Sequence, residues 1–311
     1  MRLHARLVAA MVLWTTATLA GPNDIRISEL GNPSLNPASA NYVPGANGSF
    51  RILARQLGAA ITAVNLAPPE TLGHAAFAVN LELSVVGLDG KPPPGPGVSP
   101  ITEGFALPTE RAFEGPLLMP SIHVRKGLPF SLELGGRVAW LEKSSMYAGT
   151  AEVKWAPMEG FATLPDVGVR LHASRLFNTP DWELGTGGVD LGVGKTFPVG
   201  GMVTFTPYAG WNLGFTGASS RLLDFDPQRT RSDAWGSGSS AIDSDVYGTY
   251  ETVHFFSNPS NRFYAGVRFI GGIVQLGAEL SITTFGGFDD ETGRRNIPSV
   301  GAFNTTLGLD F

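Results

Sequence analysis

The sequence has no cysteine and few charged residues. The absence of cysteine excludes a disulfide scaffold, a thiol enzyme, a Cys-ligated metal site and a lipoprotein anchored through an N-terminal Cys. Charged residues make up 16% of the chain, against ~25% in a typical soluble domain. The formal net charge of −5 is the opposite of the basic balance of nucleic-acid binders. After residue 20 the chain also lacks an evenly apolar run of ~18 residues, which argues against a membrane-spanning helix.

The first residues form a targeting pattern. Arg2 and Arg6 give a positive N-terminal region, an apolar run follows over 7–14, and Thr18-Leu19-Ala20 places small residues at a cleavage position. This order is typical of a secretory signal peptide. We therefore expect residues 1–20 to be removed after Ala20 and the mature chain to be exported.

Alternation with a period of two is the dominant pattern in the rest of the chain. Every second residue of 77–85 is apolar, and Asn80, Glu82 and Ser84 lie between them. This pattern predicts a strand with one apolar and one polar face. Such segments are longer than the ~5–6 residues of globular strands and suit the ~9–11 residues of a tilted transmembrane strand. The segments fall at 75–87, 117–126, 130–142, 146–156, 166–176, 187–197, 202–216, 261–270, 273–285 and 299–311.

The connections between these segments differ in length. Tight turns at 127–129, 198–201 and 271–272 alternate with long loops at 88–116, 217–260 and 286–298. Short turns at one end and long loops at the other are typical of an outer-membrane barrel, and the absence of free edges suits lipid, where unpaired backbone groups are costly. The sequence predicts an all-β fold, a transmembrane antiparallel up-and-down β-barrel of about ten strands. Residues 246–256 would make it twelve if they added two membrane strands.

The C-terminus carries the most specific signal. The chain stops at Phe311, and Phe303, Leu307 and Leu309 precede it on the same strand face. This ending resembles the terminal signal of Gram-negative outer-membrane β-barrel proteins. The resemblance implies a location in the cell outer membrane and recognition of Phe311 by the barrel-assembly machinery, with outer-membrane lipid and lipopolysaccharide as further partners and no nucleic acid.

Residues 21–72 differ from the barrel segment 73–311. Leu53, Leu57, Ile61 and Val64 follow helical spacing after Ser49, a plausible N-cap, and predict a short helix near 50–65. We expect a periplasmic segment or a plug in the lumen; an extra strand over 51–63 is the alternative. Asn36-Pro37-Ala38, together with a structured N-terminal segment, resembles the fatty-acid transporter barrels at this segment only.

The alternation also predicts which charged side chains face the lumen. Together with His123 and Asp310, they would line either a selective polar pathway or a narrow lumen filled by ion pairs. The predicted lumen-lining residues are Glu82, Arg125, Glu133, Arg137, Glu152, Lys154, Arg170, His172, Asp190, Arg268 and Glu279.

The long loop 217–260 contains two Asp-x-Asp pairs. Asp224 with Asp226, and Asp243 with Asp245, would coordinate divalent cations that bridge lipopolysaccharide, or they would simply belong to a solvated acidic loop.

No enzymatic motif is predicted to be functional. Gly194-Lys195-Thr196 resembles the end of a phosphate-binding loop, but it lies in an alternating strand and lacks the required earlier glycine. We expect no catalytic residues, no metal ligands and no cofactor. The predicted function is a porin-like, small-solute channel or transport role with a narrow or partly plugged lumen. The alternative is a non-conducting structural or adhesion barrel that displays its external loops.

Overall fold

The computed structural model describes residues 21–88, 116–226 and 246–311, except for the single residues 22, 35, 40, 63 and 202. The predicted signal peptide, most of the Pro-rich loop 88–116, and Asp243 and Asp245 lie outside the described residues. Among the described residues, no helix is long and apolar enough to cross a membrane.

Ten long strands form a closed barrel. Each strand pairs antiparallel with its neighbours in sequence, and pairing of the last strand with the first closes the ring. The strands are β1 (Phe77–Gly87), β2 (Leu117–Leu128), β3 (Leu132–Trp140), β4 (Tyr147–Met158), β5 (Asp166–Phe177), β6 (Trp182–Gly194), β7 (Val203–Ser220), β8 (Pro259–Gly271), β9 (Val274–Phe285) and β10 (Val300–Asp310).

The predicted fold class is confirmed, with ten barrel strands and one extra short strand at Phe197–Val199 beside β7. The twelve-strand alternative is wrong for the described residues, because Tyr247–Gly248 pairs with Leu223–Asp224 in a separate two-stranded sheet. A second small hairpin joins Phe288–Asp290 to Gly293–Arg295. Both small sheets lie at the long-loop end of the barrel.

Strand β6 differs most from its predicted bounds of 187–197. It begins at Trp182, because it pairs with β7 as far as Ser220, and it ends at Gly194. The alternation at the start of β6 is not visible in the sequence, because Gly185, Gly187 and Gly188 have no side chains. Phe130, predicted as a strand residue, lies in the turn before β3, with φ 64°.

The outward face of the barrel is apolar. Around the middle of every strand the outward positions carry no ionised side chain, and large apolar residues there stay exposed. Examples are Leu81, Ile122, Leu134, Val153, Leu171, Leu191, Trp211, Phe263, Leu280 and Leu307. A closed antiparallel barrel with an exposed apolar band is the architecture of outer-membrane proteins. The protein is therefore a membrane-spanning barrel, and the predicted location in the cell outer membrane is confirmed.

Aromatic side chains mark both edges of the apolar band. At the short-turn end the rings of Phe205 and Phe269 lie 4.9 Å apart. At the long-loop end Tyr147 stacks on Phe177 at 5.3 Å, and Phe215 packs against the 3₁₀ turn Phe255–Ser257. Such rings favour the membrane–water interface.

The chain before β1 passes through the barrel interior. It consists of the cap (residues 21–45, with a 3₁₀ turn at Ile27–Leu30), the helix α1 (Ala46–Ile61) and the crossing segment (residues 64–72). The cap lies at the long-loop end, α1 fills the outer part of the lumen, and the crossing segment leads to β1 at the short-turn end. We call α1 and the crossing segment together the plug.

Helix α1 begins earlier than the sequence indicates. Its first residue is Ala46 and its N-cap is Gly45 in the left-handed conformation, so the prediction of Ser49 as the cap is wrong. Glu291 Oε1 accepts the Gly45 backbone N–H at 2.5 Å and places a negative charge at the positive end of the helix. This acceptor is distant in sequence, which is why the local pattern could not locate the start.

Candidate functional site: the plugged lumen

Charged side chains line the lumen from its middle to the short-turn end. Apart from Asp310, which is partly exposed, the structure places each predicted lumen residue on an inward position with at most 7% of its surface exposed. These residues come from eight of the ten strands. They are Glu82, Arg125, Glu133, Arg137, Glu152, Lys154, Arg170, His172, Asp190, Arg268 and Glu279.

A continuous row of contacts connects β1 to β6 inside the barrel. Glu82 lies 2.9 Å from His123 Nδ1, and His123 Nε2 lies 3.0 Å from Glu152. The other oxygen of Glu152 is 2.9 Å from Arg170, whose guanidinium is also 2.9 Å from Asp190. Acidic and basic groups therefore alternate along one wall of the lumen.

A second group of charges lies nearer the short turns. Glu133 is 3.0 Å from Lys154 Nζ and 3.5 Å from Arg125 Nη1. Buried charges are tolerated in proteins when they are paired in this way. The charged wall is thus held together by its own ion pairs.

The crossing segment binds the lumen walls through its main chain. Arg170 donates to the carbonyl of Val64 at 3.0 Å, and the Leu66 N–H donates to Glu279 at 3.1 Å. The Pro68 carbonyl accepts from Lys154 at 3.4 Å. Residues from β4, β5 and β9 therefore hold an extended backbone across the middle of the barrel.

Side chains join these contacts where the crossing segment leaves the lumen. Glu70 forms an ion pair with Arg268 and accepts a hydrogen bond from Thr196 at 3.0 Å. The Leu72 N–H donates to Glu133 at 2.9 Å. The position of Glu70 in the lumen could not be predicted, because the residues around it have no regular hydrophobic period; their place directly before β1 is the only signal in the sequence.

The outer part of the lumen is apolar. The side chains of Phe50, Leu53 and Leu57 on α1 are fully buried, and the Phe50 ring packs 6.1 Å from Trp182 and 4.9 Å from Tyr250. Burial of side chains of this size stabilises the packing of α1 in the barrel by ~1.5–3 kcal/mol each. The inward strand residues that surround α1 include Val86, Met119, Ala139, Ala148, Leu176, Leu184 and Ala218.

The hairpin 288–295 clamps the outer end of α1. Arg295 is buried and donates to the carbonyl of Gly45 at 3.0 Å and to Asp290 at 3.1 Å. Gly48 leaves room for this clamp, because a β-carbon there would lie 2.0 Å from the Asp290 carboxylate. An external loop and the helix therefore form one packed unit.

The cap closes the mouth of the barrel. Asn23 and Asp24 bind the β3–β4 loop, and Tyr250 donates its hydroxyl toward the carbonyls of Ile27 and Gly31 at 2.7 and 2.8 Å. A cavity of about 720 Å³ opens between the cap and the loops, and Trp182 contributes to its wall. The cap is therefore docked on the barrel, with a recess beside it.

Strands β9 and β10 contribute further polar side chains to the lumen. Gln275 Nε2, Glu279 Oε1, Thr306 Oγ1 and both amide atoms of Asn304 are buried with no hydrogen-bond partner among the described residues. A buried polar group left in this condition costs ~1–3 kcal/mol. These strands thus carry several buried polar atoms without a hydrogen-bond partner among the described residues.

Of the two Asp-x-Asp pairs predicted to bind cations, the structure describes Asp224 with Asp226. Asp224 accepts the backbone N–H of Asp226 at 2.9 Å, an Asx turn that occupies one of its oxygens. No group of three or more metal-binding side chains occurs in the part of the chain that the structure describes. Asn36-Pro37-Ala38 forms an exposed turn of the cap, outside the lumen.

No protein-family model matches the chain, and no curated protein matches its sequence. Among solved structures, OmpT, an outer membrane protein of Vibrio cholerae, is 12% identical over 63% of this chain and 56% of its own, with a TM-score of 0.27. Neisserial surface protein A is 10% identical over 76% and 96%, with a TM-score of 0.26. The beta domain of the Bordetella autotransporter BrkA is 15% identical over 76% and 100%, with a TM-score of 0.34.

The chain thus spans 56% of the length of OmpT. At these identities and scores, the likeness transfers no ligand, activity or site residue to this protein.

Proposed function

We propose that this barrel is a small-solute channel whose lumen is closed at rest by its own plug. The observation that carries the proposal is the way in which the crossing segment fills the charged part of the lumen. Val64, Leu66, Pro68 and Leu72 are held there by main-chain hydrogen bonds to strand side chains. Hydrogen bonds to charged groups of this kind contribute a net ~1.5–3 kcal/mol each, because they exchange for bonds to water, so this segment can be displaced at a moderate cost.

Buried polar groups on β9 and β10 that have no hydrogen-bond partner among the described residues support the same proposal. The amide nitrogen of Gln275, the amide of Asn304 and the hydroxyl of Thr306 have no hydrogen-bond partner among the described residues. Water or a polar solute would satisfy them once the crossing segment moves away. The open lumen would therefore present neutral amide and hydroxyl groups beside its charged side chains, which suits a small polar solute.

Opening also requires α1 to move, because the helix fills the outer part of the lumen. Its apolar contacts make the closed state the stable one. The wild-type protein is therefore expected to be closed in planar lipid bilayers, with rare openings. Leu57→Asp, which puts a charge at a fully buried position of α1, should displace the helix and produce a stable conductance.

Leu57→Met is the matched control, since it keeps an apolar side chain of similar volume and should remain closed. Heat-modifiable migration on SDS gels would show that each variant is a folded barrel. Liposome swelling with polar solutes of increasing size would then define the size limit of the open lumen.

The second candidate function is a non-conducting structural or adhesion barrel that displays its external loops. The paired charges around Glu152 and the tight packing of α1 favour this role. If folded Leu57→Asp stays silent in bilayers and gives no swelling, the channel proposal fails and the non-conducting barrel replaces it.

The proposed role is not enzymatic, and its partners are the outer-membrane lipid, lipopolysaccharide and the barrel-assembly machinery. Phe311 is 64% exposed on the lipid side, and its backbone pairs with Phe77 at the barrel seam. The ring is therefore accessible to an assembly factor. Phe311→Ala should lower the amount of barrel inserted in cells; unchanged insertion would count against this partner.

A further inference from the structure

The plug passes through the barrel in one direction. Its C-terminal end meets the short-turn side, where the Gly127 N–H donates to the Ala76 carbonyl at 2.9 Å just before β1. The cap lies at the opposite end, where the Asn23 N–H donates to the Lys143 carbonyl at 3.1 Å and Asn41 binds the Phe225 carbonyl at 2.5 Å. In an outer-membrane barrel the short turns face the periplasm and the long loops face the exterior.

The cap is an integral part of the exterior surface. Ile27 is fully buried and Leu30 is 9% exposed, and both pack in the same cluster as Phe225 and Tyr250 from the loop after β7. The Tyr250 hydroxyl contacts two cap carbonyls. The cap therefore has a specific docking position on the outer side of the membrane.

A route outside the barrel wall is closed to this segment. The cap carries Asp24, Arg26 and Glu29, and ionised side chains at the bilayer centre are costly. Gly73 and Ala76 remain at the periplasmic end, so the chain between them and the cap has to run through the interior. There it occupies the outer part of the lumen as a single helix, whose diameter with side chains is ~10–12 Å, and the rest as an extended strand of chain.

We infer that the cap is displayed on the cell surface and that the barrel exports it: the chain N-terminal to α1 passes through the lumen before α1 takes its place. The cargo that this route accepts is an unfolded polypeptide, since the lumen holds no more than one helix. Peptide added before Gly21 should accordingly follow the cap to the exterior. Export during assembly requires no conduction by the folded protein, so it is separable from the proposed channel.

Single cysteines locate the cap, because the natural chain has none. Ala38→Cys places a thiol on an exposed cap residue, Thr163→Cys marks the short-turn end and Asn296→Cys marks the long-loop end. A polyethylene-glycol maleimide too large for porins is added to intact cells. We expect it to label Ala38→Cys and Asn296→Cys and to leave Thr163→Cys unlabelled until the outer membrane is permeabilised. Labelling of Ala38→Cys only after permeabilisation would overturn the inference.

An added peptide tests export itself. An unstructured epitope inserted directly before Gly21 of the full chain should be detected by antibody on intact cells at the level of an epitope in the loop 286–298. A stably folded domain at the same position should stay inaccessible from outside while the barrel still migrates as heat-modifiable. An unstructured epitope that is detected only in permeabilised cells, on a barrel with normal gel mobility, would refute export.

Discussion

The backbone of Gly58 on α1 lies against the side chain of Thr216 on β7. A β-carbon on residue 58 would stand 2.7 Å from both γ atoms of Thr216. Only glycine allows the helix to approach the wall this closely, because a β-carbon there would overlap Thr216. This contact sets how deeply the plug sits in the lumen.

An engineered disulfide at this contact should fix α1 to β7. In Gly58→Cys combined with Thr216→Cys, the two thiols occupy neighbouring positions, and a disulfide requires β-carbons ~3.5–4.5 Å apart. We expect the pair to oxidise as the only disulfide in the chain. In the Leu57→Asp background the oxidised protein should be closed in bilayers, and a reductant should restore its conductance.

Each single-cysteine variant in the same background is the control, and neither should respond to oxidant. Conductance that persists in the fully oxidised double variant would show that ions do not follow the path blocked by α1.

The strands were predictable because lipid imposes a strict rule on them. Outward positions near the middle of each strand are mostly apolar and carry no ionised side chain, so the alternation in β1 and β9 could be seen from the sequence alone. The rule failed locally where side chains were missing, as at Gly185 and Gly187 of β6. Fold class and strand order therefore follow from residue pattern and turn lengths.

The plug was only partly predictable, because its contacts are distant in sequence. The inward face of β1 carries Glu82 and then Val86, and the change from polar to apolar along one face marks where α1 packs. That change can be recognised as a packing site for a helix only when the inward faces of neighbouring strands are compared. The acceptor for the N–H of Gly45 comes from Glu291, which no local pattern can reveal.

Glu152 offers a test of the ion-pair row. Its two oxygens contact His123 at 3.0 Å and Arg170 at 2.9 Å while the residue is 7% exposed. Removing one member of a buried pair costs ~3–5 kcal/mol, because a charge is left without compensation. Glu152→Gln should therefore lower the guanidinium midpoint of barrel unfolding, measured by loss of heat-modifiable mobility.

The control is Asp289→Asn, which breaks an exposed pair with Arg294 and should change stability by less than ~1 kcal/mol. Equal midpoints for Glu152→Gln and the wild type would mean that the row of ion pairs contributes little to the stability of the barrel.

Tyr250 joins the cap to the helix. Its ring stacks on Phe50 at 4.9 Å, and its hydroxyl contacts the Ile27 and Gly31 carbonyls. Tyr250→Phe keeps the stacking and removes the hydrogen bond, at a cost of ~0.5–1.5 kcal/mol. Tyr250→Ala loses both and should loosen the cap far more. An external protease should cleave the cap slowest in the wild type, faster in Tyr250→Phe and fastest in Tyr250→Ala. If Tyr250→Phe were cleaved as fast as Tyr250→Ala, the whole effect would be due to the hydroxyl.

Asp24 should make docking of the cap weaker at low pH. Burial raises the pKa of its carboxyl, but hydrogen bonds from Ser144, Ser145 and Gly21 outweigh burial, so the pKa lies below its ordinary value of 3.8. A folded-state pKa below the unfolded value means that the ionised group stabilises docking above pH 3.8 and that this contribution is lost as pH falls through the lowered pKa.

A spin label on Ala38→Cys should therefore be immobile at neutral pH and become mobile only in strong acid. Asp24→Asn, which cannot ionise, should give a mobile label already at neutral pH and remove this transition. Asp181→Asn changes another acid at the same cavity and should keep the transition. An unchanged acid transition in Asp24→Asn would assign the pH dependence to another group of the exterior surface.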